Sequence, residues 1–179
     1  MIEESKSESA LENGQDEEIQ TMILLRHAKA ISRKDWVGDD LDRPLDSLGE
    51  LQAKRLVASL APLGVAEIHS SSAVRCYETI NPLARALSLD YFFTDSLSEF
   101  IYSKHPERTY KYIDRLLEND SVTLVCSHNP ILPNYLSWKL DRQGFSVPET
   151  KLAPGDAWVV KHVAKEILAV EHIPAPAIA

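Results

Sequence analysis

Apolar residues in this chain are concentrated in two short runs that are separated by polar and helical segments. The runs TMILLR and SVTLVC, at residues 21–26 and 121–126, are almost continuously apolar. Runs of this kind are typical of strands that are buried on both faces of a parallel sheet. Shorter or alternating stretches predict four further strands, at 65–70, 89–93, 156–163 and 166–173. The last two of these have the pattern of an antiparallel hairpin.

Between the strands, the spacing of apolar residues changes to that of helices. Three helices are predicted, at 46–60, 73–87 and 106–118. Ser47 with Glu50 predicts a capping box for the first helix. Asn81 and Pro82 predict an interruption of the second, with a new helix starting there. Residues 28–45 predict a long loop. The alternation of strands and helices indicates an α/β fold, with a mostly parallel sheet between two helical layers and an antiparallel edge.

Charge divides the 179-residue chain into an acidic tail and a nearly neutral body. Residues 1–20 contain seven acidic residues and one basic residue, which leaves −2 of the total charge of −8 for the rest. We therefore expect a disordered acidic tail at 1–20 and one folded domain at 21–179. The body lacks the basic surface of a nucleic-acid-binding protein, and no segment has the length of a membrane span. Two cysteines, one inside an apolar run, favour a reducing, cytoplasmic environment.

Cationic side chains follow both of the apolar runs. Arg26 and His27 come directly after the first run, and His128 comes shortly after the second. In an open α/β sheet, ligands bind beyond the carboxyl ends of the parallel strands. Arg75 lies near the start of a predicted helix, where an arginine is unfavourable unless an anion binds there. Each of these residues alone has an ordinary structural explanation, but together they predict a phosphate-binding pocket.

Four segments carry a resemblance to a known family. The segments LLRHAKA, SSSAVRCYET, LSEF and CSHNP, in this order, resemble the histidine phosphatase superfamily, which is named for an Arg-His-Gly motif. The similarity covers residues 21–173. It is strongest to the SixA-like branch and to the phosphatase half of actinobacterial proteins that also contain a Nudix (MutT-type) hydrolase. Ala28 replaces the usual glycine, as is typical of that branch. The resemblance implies a three-layer, phosphoglycerate mutase-like fold.

The resemblance also implies roles for individual residues. His27 is the expected nucleophile, Arg26, Arg75 and His128 surround the phosphoryl oxygens, and Glu99 is the expected general acid and base. These cations make a metal or other cofactor unnecessary. The alternatives to Glu99 as the acid are Asp46, Glu78 and Asp95. Lys34 and Arg43 are expected to bind additional negative charge on the substrate.

The expected function is metal-independent hydrolysis of phosphomonoesters or phosphoramidates through a phosphohistidine on His27. The expected substrate is a nucleotide or a small phosphorylated metabolite, with Trp36 available to stack on a base. The first alternative is a SixA-type phosphatase of protein phosphohistidine. The second is a non-catalytic module that binds a phosphorylated partner. A metal-binding protein is disfavoured because the six histidines lack compact spacing. The sequence leaves the oligomeric state open.

Overall fold

The computed structural model describes residues 18–145 and 151–178. Its strands are β1 (Gln20–Arg26), β2 (Glu67–Ser71), β3 (Tyr91–Thr94), β4 (Thr123–Ser127), β5 (Ala157–Val163) and β6 (Glu166–Ile173). Its α-helices are α1 (Ser47–Leu60), α2 (Val74–Leu87), α3 (Glu99–Lys104), α4 (Pro106–Leu116) and α5 (Ile131–Arg142). Most of the predicted acidic tail lies outside the described residues, and β1 begins at Gln20.

The six strands form a single sheet in the order β3-β2-β4-β1-β5-β6. The first four of these are parallel to one another, whereas β5 is antiparallel to β1 and β6 is antiparallel to β5. The predicted α/β fold, with a mostly parallel sheet and an antiparallel edge, is therefore confirmed. Strands β1 and β4 are direct neighbours, and their register places Arg26 beside Ser127. Both buried strands thus end at the same edge of the sheet.

Helices cover both faces of the sheet. Ile23 and Leu25 of β1 pack in one core cluster with apolar residues of α1 and α2. Met22 and Leu24 pack in a second cluster, with apolar residues of α4 and α5. Alternate residues of β1 therefore face opposite layers, which explains why the strand is apolar throughout. None of the helices formed by the described residues has the length and apolarity needed to cross a membrane.

The predicted capping box at the start of α1 is wrong. The N-cap is Asp46, whose carboxylate accepts a hydrogen bond from the Gly49 N–H at 2.8 Å. The Asp46 N–H donates to the carbonyl of Lys29 at 3.0 Å, and this contact holds residue 46 in an extended conformation. A tertiary contact therefore places the N-cap at Asp46, one residue before the Ser47 of the predicted capping box.

A second helical prediction, the interruption of α2, also differs from the structure. Helix α2 continues through Asn81 and Pro82 instead of restarting there. Proline removes one hydrogen bond from a helix interior, but the buried face of α2 runs across this position, from Ile80 to Leu83.

Helices α3 and α5 were not predicted. Proline also occurs in α5, at position 133, where the first turn of a helix tolerates it because its N–H groups have no partner within the helix.

Candidate active site

Two histidines meet where β1 and β4 end. His27 and His128 follow these adjacent strands directly, and their ring centroids lie 5.2 Å apart. The His27 N–H donates to the Ser127 carbonyl at 3.0 Å, so the two strand ends remain paired beyond the sheet. The structure thus brings His27 and His128 together in one crevice, as the sequence predicts.

The hydrogen bonds of His27 define its tautomer. Its Nδ1 lies 2.7 Å from the carbonyl oxygen of Ala28, which can only accept, so Nδ1 carries a proton. The pKa of His27 lies well below its usual range because burial disfavours the charged ring, and nearby His128, Arg75 and Arg26 disfavour it further. The ring is therefore neutral at neutral pH, and Nε2 keeps a lone pair. A neutral imidazole with a fixed Nδ1–H is the form that attacks through Nε2.

A buried threonine connects the His27 loop to helix α2. The Ala28 N–H donates to Thr79 Oγ1 at 2.9 Å, and the Thr79 hydroxyl donates to the Arg75 carbonyl at 2.7 Å. Ala28 is thus held from two sides, by Thr79 at its N–H and by the His27 ring at its carbonyl. This chain of contacts fixes the distance between the His27 loop and the turn of α2 that carries Arg75.

Arg75 lies in the first turn of α2 and is 2% exposed. Its Nη1 donates to the Asp40 carbonyl at 2.6 Å, and its Nη2 donates to the carboxylates of Asp40 and Glu99 at 3.1 and 2.8 Å. Its Nη2 also lies 3.4 Å from His128 Nδ1. Neither its Nε nor the buried Nε of Arg26 has a hydrogen-bond partner among the residues that the structure describes. Two buried N–H donors thus have hydrogen-bonding capacity that the described residues do not use.

Glu99 is the first residue of α3, and its carboxylate joins two arginines. Its Oε2 accepts from Arg75 and from Arg33, each at 2.8 Å, and lies 3.7 Å from His128 Nδ1. Burial favours the protonated form, but the charges of His128, Arg33 and Arg75 outweigh it and lower the pKa of Glu99. Glu99 is therefore ionised in the free site and occupies donors that a phosphate would use.

A cation-lined cavity of about 410 Å³ opens in front of these residues. Six arginine, lysine and histidine side chains line it: Arg26, His27, Arg33, Lys34, Arg43 and His128. Arg75 is not among them. Arg43 is buried and fixed, with Nε donating to Asp40 at 2.9 Å and Nη1 to the Ile31 carbonyl at 2.6 Å. Lys34 is exposed at the rim. Arg26 donates to the carbonyl of Leu152.

Trp36, which the sequence offers as a stacking platform, is not among the residues that line this cavity. Its indole N–H donates to the Asp39 carbonyl at 2.8 Å, so the ring packs within its own loop.

The three alternative candidates for the general acid form hydrogen bonds or ion pairs with other residues. Asp46 caps α1 and pairs with Lys29 at 3.0 Å, and Glu78 accepts from the Leu45 N–H at 2.7 Å. Asp95 accepts from the Ser72 hydroxyl at 2.6 Å. Glu99 alone among these four acids contacts Arg75. Within residues 18–145 and 151–178, no group of three or more His, Cys, Asp or Glu side chains is arranged to hold a metal ion.

Three important residues were not singled out as site residues from the sequence. Arg33 and Asp40 form the network around Glu99 and Arg75, and Thr79 connects Arg75 to the His27 loop. Arg33 and Asp40 occur in a loop where acids and bases alternate, so the sequence signals a charged segment without indicating the pairs. Thr79 follows Arg75 by one helical turn, which is the only local signal of its role.

Comparison with known proteins identifies relatives over most of the chain. Residues 22–142 match the family model of the histidine phosphatase superfamily, branch 1. An 8-oxo-(d)GTP phosphatase of Mycolicibacterium smegmatis is 28% identical over 156 residues, which cover 87% of this chain and 48% of that protein. The chain spans about half the length of the curated relatives that it matches.

Solved structures show the same fold. A putative SixA phosphohistidine phosphatase from Agrobacterium tumefaciens has a TM-score of 0.67 at 22% identity, over 85% of this chain and 97% of that one. A mycobacterial glucosyl-3-phosphoglycerate phosphatase has a TM-score of 0.65 at 14% identity, over 90% of this chain and all of that one. The family model and the relative's name support the prediction of a phosphatase. The chain belongs to the histidine phosphatase superfamily.

Proposed function

We propose that this protein is a metal-independent phosphatase that transfers the phosphoryl group of its substrate to Nε2 of His27. The observation that carries the proposal is the state of His27: its Nδ1–H is bound to the Ala28 carbonyl, its ring is neutral, and cationic side chains surround it. A nucleophile of this kind needs cations that bind the phosphoryl oxygens and offset their charge during transfer. Arg26, Arg75 and His128 are suited to this role.

The reaction has two steps. In the first, His27 Nε2 attacks phosphorus, the bond to the leaving oxygen breaks, and that oxygen takes a proton from Glu99. In the second, Glu99 removes a proton from water, the water oxygen attacks phosphorus, and the bond to Nε2 breaks. Phosphate is released and both side chains return to their starting states.

Glu99 must exchange partners before it can donate a proton. In the free site it is ionised and bound to Arg75 and Arg33. A phosphate that binds Arg75 competes directly with this carboxylate, and its negative charge favours protonation of any carboxylate nearby. Substrate binding therefore both releases Glu99 from Arg75 and favours the acid form that the first step requires.

We infer that the substrate is a phosphorylated small molecule, and a nucleotide in the first instance. The name of the mycobacterial relative supports a nucleotide, and the cations from Arg33 to Arg43 supply positive charge around the phosphate that is transferred. A protein phosphohistidine is the second candidate. It is favoured by the exposure of Arg33 and Lys34 at the rim, because an open rim admits a phosphate carried on a large partner.

Hydrolysis of an aryl phosphate in the presence of a chelator tests the proposed reaction. We expect turnover that is unaffected by the chelator. Binding of phosphate without turnover would indicate a docking module, and loss of activity with the chelator would indicate a metal enzyme. Comparison of kcat/KM for nucleoside phosphates and for a phosphohistidine protein then distinguishes the two substrate candidates.

The role of Glu99 has its own test. A general acid contributes roughly 10²- to 10⁴-fold to rate. We expect Glu99→Gln to lower kcat by such a factor for alkyl phosphates, whose leaving groups need a proton, and by much less for activated aryl phosphates. An equal loss on both kinds of substrate would show that Glu99 is not the acid.

A further inference from the structure

A second cavity lies beside the phosphate-binding cavity and shares Glu99 with it. It has a volume of about 370 Å³. Arg75 and Glu99, which also belong to the proposed catalytic site, form one wall of this cavity. The other walls come from the end of the 28–45 loop, from Asp95 and from the start of α3. The proposed mechanism uses no residue of this cavity other than Arg75 and Glu99.

The two cavities differ sharply in chemistry. Six cationic or histidine side chains line the first, with Glu99 as its only carboxylate among the described residues. Carboxylates and apolar side chains line the second. Leu41 and Phe100, which are 41% and 63% exposed, contribute the apolar surface together with Ile101. The first cavity therefore suits phosphate, and the second disfavours it.

Two carboxylates of the second cavity keep their negative charge uncompensated. Asp40 and Glu99 are neutralised by arginines, but Asp39 and Asp95 form no ion pair within residues 18–145 and 151–178. Asp39 accepts from the Leu41 N–H at 2.9 Å, and Asp95 accepts from the Ser72 hydroxyl at 2.6 Å. Each carboxylate has further acceptor capacity, because an ionised carboxyl group offers about four acceptor positions.

One residue that lines this cavity has a buried donor without a partner among the described residues. Arg75, which lines it, is 2% exposed, and its Nε–H has no partner in the described part of the chain. An unsatisfied buried donor is costly, and a phosphoryl oxygen held between the two cavities would satisfy it. Because Arg75 lines the second cavity and Glu99 lines both, we expect the phosphoryl group to bind near the boundary of the two cavities.

In-line transfer determines which part of the substrate occupies the second cavity. His27 attacks from one side of phosphorus, so the leaving oxygen lies on the opposite side, next to the acid that protonates it. Glu99 is that acid in the proposed mechanism, and the second cavity lies beyond it. We propose that this cavity binds the leaving group and selects a partly apolar body that is neutral or cationic and carries N–H donors. The nucleoside of a nucleoside monophosphate has this chemistry, whereas a sugar acid does not.

This inference rests on the proposed phosphatase function, and a matched pair of substrates tests it. Tyramine O-phosphate and 3-(4-hydroxyphenyl)propionate O-phosphate are both alkylphenyl phosphates of similar reactivity, and they differ in the ammonium or carboxylate at the end of the same two-carbon tether. We expect a higher kcat/KM for the ammonium substrate. The two substrates differ by two unit charges, so at about 8 Å from one carboxylate the preference lies between about 6-fold and about 1,000-fold, depending on the local dielectric.

Two isosteric variants and one control show which carboxylates cause the preference for the ammonium substrate. Asp39→Asn and Asp95→Asn should each reduce the preference by a factor in this range, because the amide oxygen still accepts the existing hydrogen bond but the charge is lost. Asp141→Asn removes the same charge from an exposed position on α5 and should leave the preference unchanged. Turnover of both substrates without a preference, or a preference that neither cavity variant reduces, would overturn this inference alone. Turnover of neither substrate would overturn the proposed function as well.

Discussion

Thr79 offers a direct test of how the fold positions His27. The substitution Thr79→Val keeps the size and shape of the side chain and removes the hydroxyl that accepts from the Ala28 N–H at 2.9 Å. Thr79 is 1% exposed, so water cannot replace the lost acceptor. A buried donor left without a partner costs about 1–3 kcal/mol. We expect the free energy of unfolding to fall by this amount, as measured by equilibrium denaturation.

The same substitution should also lower catalysis. The Ala28 carbonyl holds the His27 ring through Nδ1, so movement of Ala28 changes the direction of Nε2. A misplacement of about 1 Å costs roughly 100-fold in rate, and we expect kcat for an aryl phosphate to fall by about 10- to 100-fold.

Thr79→Ser is the matched control, since it keeps the hydroxyl and removes one methyl group. It should cost about 0.5–1.5 kcal/mol in stability, like other single-methyl deletions, with kcat within a few-fold of the parent. If both variants had the same kcat, the connection from Thr79 through Ala28 to His27 would have no catalytic role.

Two further substitutions test local features. Gly49→Ala should lower the free energy of unfolding by at least about 1–3 kcal/mol, because a Cβ at this position would lie 1.9 Å from the Lys29 carbonyl oxygen; parental stability in denaturant would contradict this close approach. Arg33→Ala removes an exposed ion pair with Glu99, which contributes about 0.2–1 kcal/mol. Without this pair a larger fraction of Glu99 is protonated. The ratio of alkyl to aryl phosphate turnover should therefore rise by roughly 1.4- to 5-fold at alkaline pH. An unchanged ratio would show that Arg33 does not hold Glu99 ionised.

The parts of the fold that could be predicted are those that local pattern determines. Strands β1 and β4 are buried on both faces and therefore appear as apolar runs, and the cations that follow them lie where ligands bind in open α/β sheets. Arg75 is a candidate from the sequence because an arginine in the first turn of a helix is unfavourable without an anion, and the structure places it beside His128. These signals were sufficient to identify the crevice that contains His27 and His128.

The remaining features depend on contacts between distant segments. Asp46 and Ser47 are both good capping residues, and the contact with Lys29 decides between them. Helix α2 continues through Pro82 because its buried face outweighs the lost hydrogen bond. The bond between Arg33 and Glu99 joins residues 66 positions apart, and no periodicity in the sequence indicates such a pair.

Covalent phosphate on His27 is the central claim of this account, and trapping it is the most direct test. Reaction with a labelled substrate, stopped by rapid denaturation, should leave one acid-labile, base-stable phosphate on the peptide that contains His27. His27→Ala should remove the label and nearly all turnover, whereas His105→Ala, which changes an exposed histidine, should keep both. Label that persists in the His27→Ala variant, or rapid turnover in that variant, would contradict a phosphohistidine mechanism at this residue.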